Sequence, residues 1–139
     1  MEKKFWKVHS CGNDFIFTEN WVPETEQIVS LCDRRRGVGA DGVLVLSDDP
    51  LTMRIFNSDG SEASMCGNGL RCFMMMAVKL GYAEERQQIN TAKGPIEVLC
   101  TAKEPFACEF ELEIKEEDMY IVSGTRHTVC LNHLIMIRA

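Results

Sequence analysis

The sequence predicts an α+β fold in which strands wrap a single central helix at about residues 67–80. Three observations predict it. Between Gly67 and Leu80 the apolar residues Leu70, Phe73, Met74, Ala77 and Val78 follow the i, i+3, i+4, i+7, i+8 pattern of a helix. Cys72, Met75, Met76 and Leu80 make the rest of that surface apolar too, leaving only Arg71 and Lys79 charged. A helix apolar on nearly every side is buried on nearly every side. Second, the chain after residue 85 is rich in short β-prone runs. From Ala107 to Lys115 it alternates strictly, with Cys108, Phe110, Leu112 and Ile114 on one face and Glu109, Glu111, Glu113 and Lys115 on the other. Third, 139 residues, 45% hydrophobic and 26% charged, are enough for one domain with a real core.

The elements follow in order. Phe5 to Val8 reads as a short strand, Ser10-Cys11-Gly12-Asn13-Asp14 as a turn, and Phe15 to Thr18 as the returning strand. Pro23 and Glu24 open a helix whose apolar face is Ile28, Val29, Leu31 and Cys32. Arg34, Arg35 and Arg36 are expected in its last turn, and Gly37 just past its end. Val43 to Leu46 and Met53 to Phe56 are buried-looking strands, the second ending in the turn Asn57-Ser58-Asp59-Gly60. The central helix comes next, with Gly81 as its stop. Gln88 to Thr91 and Ile96 to Leu99 flank an expected turn at Lys93-Gly94-Pro95. Tyr120 to Val122 is a short strand, and His127 to Ile137 is apolar and β-prone. Glu116-Glu117-Asp118 is the expected break between a domain over 1–115 and a second unit over 116–139. There is no internal repeat and no low-complexity linker.

Bulk properties exclude several function classes. A net charge of −6 with no basic stripe argues against nucleic acid as a partner. No apolar run approaches the roughly 18 residues a membrane span needs, and Met1-Glu2-Lys3-Lys4-Phe5 lacks an apolar signal core. A cytoplasmic location is the resulting expectation. Seven cysteines, at 11, 32, 66, 72, 100, 108 and 130, show neither regular spacing nor a secretory context. That argues against a disulfide framework, and the absence of paired metal-ligand spacings argues against structural zinc. Cys32, Cys72, Cys100, Cys108 and Cys130 are expected to be small buried hydrophobes, as Met74-Met75-Met76 is expected to be core filling.

The chemistry concentrates in residues 57–72. Cys66 stands at the mouth of the central helix, followed by Gly67, Asn68 and Gly69. A thiol there meets the positive end of the helix dipole and several unpaired N–H groups, a setting that favours the thiolate. The same N–H groups can hold an anion such as a carboxylate. A base beside an anion cradle points to chemistry at the carbon next to a carboxylate. Gly67, Asn68 and Gly69 disfavour helix and read as room for a ligand to approach the backbone. Gly37-Val38-Gly39-Ala40-Asp41-Gly42 matches the dinucleotide pattern G-x-G-x-x-G, but it follows a helix and opens a strand, the reverse of what that pattern requires. His9, His127 and His133 have no spaced partner that would make a triad or a metal site.

These residues resemble the diaminopimelate epimerase family. Asn57-Ser58-Asp59-Gly60-Ser61-Glu62, followed by Met65-Cys66-Gly67-Asn68-Gly69-Leu70-Arg71-Cys72, is similar to that family's signature almost letter for letter. His9-Ser10-Cys11-Gly12-Asn13-Asp14-Phe15 resembles its N-terminal motif, and Leu31-Cys32-Asp33-Arg34 through Asp41-Gly42 a third block. The likeness covers most of residues 1–100 and continues weakly to 123–129. Proline racemases and phenazine-type isomerases share the fold. The resemblance implies two similar halves, each a mixed or antiparallel barrel-like sheet around a central helix, with the active site between them. It implies proton transfer at an α-carbon by two cysteines on opposite faces, converting LL- to meso-diaminopimelate in lysine and peptidoglycan precursor synthesis. By the same likeness Cys66 is one catalytic cysteine, Asn13 and Asn57 bind substrate, and the Gly67 and Asn68 N–H groups hold the α-carboxylate. No cofactor or metal is implied.

Departures shape the expectation. Ser10 replaces a motif glycine, Cys11 replaces an apolar residue, and Thr125-Arg126 stands where the family often has Asn-Pro. The family's second C-G-x-G block and its Glu-Arg pair have no counterpart before Ala139. Inversion needs an acid and a base on opposite faces, so the expectation is an N-terminal half that acts on a diamino acid with a complementary half-chain or as a homodimer. A non-catalytic fragment binding an amino acid or a partner chain, and a racemase for another amino acid, are the alternatives.

Overall fold

The computed structural model describes residues 2–111 and, beyond them, the strands Tyr120–Val122 and Thr125–His127. In chain order the elements are β1 (Trp6–Ser10), β2 (Asn13–Glu19), α1 (Thr25–Cys32), β3 (Gly42–Ser47), β4 (Thr52–Asn57), β5 (Glu62–Ala63), α2 (Gly67–Lys79), β6 (Arg86–Thr91), β7 (Gly94–Lys103), β8 (Phe106–Phe110), β9 (Tyr120–Val122) and β10 (Thr125–His127). One sheet runs β1-β2-β3-β4-β6-β7-β8, with β5 attached to β4, while β9 and β10 pair with each other. The expected strand over 128–137, the alternation past Glu111, the break at 116–118, Cys130 and His133 lie outside the described residues.

The sheet is mixed for a reason of connectivity. Tight hairpins make β1–β2 and β7–β8 antiparallel, whereas β2–β3 and β4–β6 are parallel joins. A parallel join needs a crossover. The connection from β2 to β3 carries α1, and that from β4 to β6 carries β5 and α2. The two helices cover opposite faces. Ile16 of β2 and Val43 and Val45 of β3 pack with Ile28 and Cys32 of α1. Phe15, Phe17, Leu44 and Leu46 face the other way, onto Leu70, Phe73 and Met74 of α2. This double coverage is why Val43-Leu44-Val45-Leu46 is an unbroken apolar run rather than an alternating one.

The expected α+β class and central helix are both present. α2 touches β1, β2, β3, β4, β7 and β8, so the sheet curls around it as a half-barrel. Leu70, Cys72, Phe73, Met74 and Ala77 are each fully buried. Burying each large apolar side chain contributes about 1.5–3 kcal/mol. The helix ends at a Leu80 cap followed by Gly81 with φ +85, a left-handed stop that glycine adopts without strain.

Four expectations need correction. The first helix ends at Cys32, so Arg34, Arg35 and Arg36 lie outside it. Asp33 leaves the helix in an extended conformation, and its Oδ1 accepts from the N–H groups of Arg35 and Arg36 at 2.8 and 3.0 Å. The Gly39 and Ala40 N–H groups then take the helix-end carbonyls of Leu31 and Cys32. Gly37 is no helix-end residue either. A Cβ there would lie 2.0 Å from the Ser30 carbonyl oxygen, so it serves close approach of the loop to the helix. Val29, assigned to the apolar face of this helix, is exposed. In the β6–β7 hairpin Gly94 and Pro95 belong to β7, opposite Thr91 and Asn90, and the turn is Ala92-Lys93.

Candidate active site

Cys66 is the N-cap of α2. Its backbone is extended (φ −149, ψ 118), and its Sγ accepts from the Gly69 N–H at 3.4 Å. Sulfur thus takes the place usually held by a Ser or Asp oxygen. Gly67 and Asn68 are the first two helical residues, and their N–H groups have no acceptor within the helix. The helix mouth thus presents a half-buried thiol flanked by two amides that have no acceptor among the described residues, at a positive helix end.

The β1–β2 hairpin is brought against this helix mouth. Its register pairs Ser10 with Asn13 across a two-residue turn, Cys11-Gly12, with φ +53 and +82. Asn13 Nδ2 reaches Cys66 Sγ at 3.8 Å. Ser10, fully buried, donates from its hydroxyl to Asn68 Oδ1 at 3.3 Å. Asn13, Cys66, Gly67 and Asn68 are thus assembled in one place from two separated motifs. His9 stays with the hairpin, its Nδ1 accepting from the Gly12 N–H at 3.4 Å.

A charge cluster also holds this hairpin, through Asp14 beside its turn. Asp14 accepts from Lys7 Nζ at 2.8 Å and from both terminal nitrogens of Arg34 at 3.1 and 2.8 Å, and Arg34 also holds Asp41 at 2.9 Å. The backbone N–H of Asp41 donates to Asp14 Oδ1, and that of Asp14 to Asp41 Oδ2. Lys7 Nζ also donates to the Gly39 carbonyl. The Arg34 guanidinium in particular holds the Asp14 carboxyl well below the usual carboxylate range, against the opposing effect of its burial. Two sequence motifs, 9–15 and 34–42, are therefore one physical joint.

Asn57 stands apart in its bonding. Its Nδ2 donates to Ser61 Oγ at 3.0 Å and its backbone closes the 57–61 turn. Among the described residues no hydrogen bond joins it to Cys66 or Asn13. It lies opposite Gly42, which in turn lies opposite Phe15 on the β2 side, at the sheet end that carries Asn13.

The remaining cysteines separate by environment. Cys72 is fully buried, and desolvation pushes its thiol up to about 12. Cys108 is likewise pushed up to about 12 by burial, and Cys32 and Cys100 are raised for the same reason. None of these gives a thiolate at neutral pH. A groove of about 730 Å³ between Lys3, Trp21, Val22 and α1 shares no residue with the Cys66 site. No His/Cys/Asp/Glu cluster able to hold a metal occurs among the described residues, and no helix there is long and apolar enough to cross a membrane.

One residue of the site escapes a reading of the sequence. Arg71 is 1% exposed, donates from Nη1 to Asn68 Oδ1 at 3.1 Å and lies 5.3 Å from the Phe110 ring centroid. Its Nε and Nη2 are buried with no hydrogen-bond partner among the described residues. Desolvation lowers its pKa, but a guanidinium remains charged at any physiological pH. The available signal was a lone arginine in the first turns of a helix with no exposed face.

The half-barrel around a central helix is a fold that this chain shares with solved epimerase and phenazine-biosynthesis proteins. A hydroxyproline epimerase from Agrobacterium vitis matches 76% of this chain and 40% of its own at TM-score 0.58 and 14% identity. A phenazine biosynthesis protein of the PhzF family from Bacillus anthracis matches 79% and 40% at TM-score 0.59 and 17% identity. At those identities the likeness is one of fold. The family profile for diaminopimelate epimerase matches residues 5–112, and the chain belongs to that family. The diaminopimelate epimerase of Methanocella arvoryzae is 49% identical over 105 residues, 68% of this chain and 38% of its own. That of Caldanaerobacter subterraneus is 46% identical over 99 residues, 67% and 36% respectively. The chain therefore spans under two fifths of the length of these relatives.

Proposed function

We propose that this chain forms one half of a cofactor-independent amino-acid epimerase acting on diaminopimelate. Cys66 serves as one of two proton-transfer groups at the α-carbon. The observation that carries the reading is Cys66 Sγ at the N-cap of α2, next to the open amides of Gly67 and Asn68. The α-carboxylate sits on those amides, which places the α-carbon beside the sulfur. The thiolate takes the α-proton, the bonding pair moves toward the carboxylate, and the amides stabilise the charge that develops there. Asn13 orients the sulfur through its 3.8 Å contact, and Asn57 contacts substrate from the adjoining strand end.

Inversion requires a proton from the opposite face. Cys72 is fully buried in the core under the sheet, out of reach of a substrate at the helix mouth. A complementary half supplies the second cysteine in this reading, and such a pair works in the cytoplasm. The test is to incubate the reduced chain with LL-diaminopimelate in D2O. The α-proton and the backbone amides are followed by NMR, and the stereoisomers by chiral chromatography. Shifts at Asn13, Gly67 and Asn68 without inversion are expected. Inversion by this chain alone would overturn the half-site, and unmoved amides would overturn the carboxylate cradle.

A further inference from the structure

We propose that Arg71 is a positioning residue that sets the orientation of the Asn68 side-chain amide, oxygen toward the protein and NH2 toward whatever the helix mouth binds. The chemistry of the bound group, a carboxylate or other anionic acceptor, rests on the reading of Cys66, Gly67 and Asn68 given above.

The orientation follows from donor and acceptor inventories. A guanidinium has donors only, so the Asn68 atom 3.1 Å from Arg71 Nη1 is the oxygen. The Ser10 hydroxyl, 3.3 Å from the same atom, donates to it as well. Both come from within the fold: Arg71 is one turn further along α2, on the same helix face, and Ser10 closes β1. With the oxygen doubly engaged, the two Nδ2 hydrogens are what Asn68 has left to offer. Its backbone N–H, second in the helix, is also open. Asn68 therefore presents donors from both backbone and side chain, which selects for an acceptor.

The cost of Arg71 supports a role beyond packing. The guanidinium is buried with Nε and Nη2 unpaired among the described residues, and leaving donors of a charged group unsatisfied is unfavourable. An apolar residue of similar length would fill the same space at no such cost, and this helix already uses three consecutive methionines for that purpose. A locally unfavourable residue beside a site is expected where it serves the site.

The test uses the 15N-labelled chain, with the Asn68 side-chain resonance assigned by its loss in N68D. A rigid Asn68 amide is expected in the wild type, with an order parameter of about 0.8 or more. It should fall below about 0.6 in R71M, recover in part in R71K, and leave the Asn57 side chain unchanged. R71M should melt no lower than the wild type, which separates positioning from structural support. A mobile Asn68 amide in the wild type overturns the proposal without any variant, and so does an unchanged amide in folded R71M. A titration with LL-diaminopimelate then tests the underlying reading, with affinity expected to drop about tenfold in R71M, the equivalent of one lost hydrogen bond. An ordered, Arg71-dependent amide in a chain that ignores the probe supports the positioning role and overturns the carboxylate reading.

Discussion

Cys66 and Cys72 are the same residue type six positions apart on one helix, and their surroundings give them different chemistry. Cys66 caps the helix with its sulfur half-exposed, whereas Cys72 lies under the sheet with its thiol pushed up to about 12. Brief treatment of the folded chain with iodoacetamide at neutral pH should therefore modify Cys66 and the exposed Cys11. Cys32, Cys72, Cys100 and Cys108 should react only after unfolding. Peptide mass spectrometry reads this directly, and labelling of Cys72 at the rate of Cys66 would contradict the burial described. Cys11 carries a separate local cost. Its φ of +53 suits asparagine or glycine at the first position of a two-residue hairpin turn better than cysteine. Cys11→Asn should raise stability by about 0.5–1 kcal/mol, seen as a higher melting temperature. The placement of Cys66 and the burial of Cys72 were legible because a helix start and a helical period are local patterns. The role of Arg71 was not, because Phe110 comes over its guanidinium, and Ser10 onto the Asn68 oxygen that it holds, only after the sheet has curled around the helix.

Among elements, the decisive contact is that of the β1–β2 hairpin with the helix mouth. The ion cluster of Lys7, Asp14, Arg34 and Asp41 holds that hairpin, close to its turn, to the loop before β3. Asp14 titrates well below its ordinary 3.8 in the folded chain. A carboxylate with a depressed folded pKa contributes stability that is complete above its unfolded value and lost as pH falls through the folded one. The melting temperature should therefore fall as pH drops below about 4, and Asp14→Asn should flatten that fall while lowering stability at pH 7. Equal pH slopes for the two proteins would remove Asp14 as a cause. In the same frame, Phe73→Ala should cost about 3–5 kcal/mol in denaturant unfolding, since Phe73 is fully buried where α2 meets β2. The arginine run shows why this joint was hard to foresee. Arg34-Arg35-Arg36 after an apolar helical stretch looks like a dipole-complementing last turn, yet Asp33 supplies a competing local bond that ends the helix first. Arg34 is then free to pair with an aspartate twenty residues earlier, a contact that no local window contains.

For the molecule as a whole, the residues of the proposed site lie on one side of the helix mouth. Cys66, the Gly67 and Asn68 amides, and Asn13 all come from one helix mouth and the hairpin packed on it. An α-carbon seated there meets one sulfur, and each further described cysteine except Cys11 is buried. Cys11 sits at the tip of the same hairpin as Asn13, so it belongs to the same half rather than to an opposing one. On the proposed reading the second acid comes from another body, and the relatives, of which this chain matches under two fifths, are long enough to contain one. The prediction is complementation. The unmatched portion of the Methanocella arvoryzae relative, expressed separately and mixed with this chain, should convert LL-diaminopimelate in D2O with inversion and uptake of one solvent deuteron at the α-carbon. The conversion should vanish with Cys66→Ser in this chain and should saturate as the complementary portion is titrated. Conversion that survives Cys66→Ser would assign the chemistry elsewhere. Failure to convert despite a complex detected by analytical ultracentrifugation would mean that the two halves dock without bringing Cys66 to the opposite face of the α-carbon.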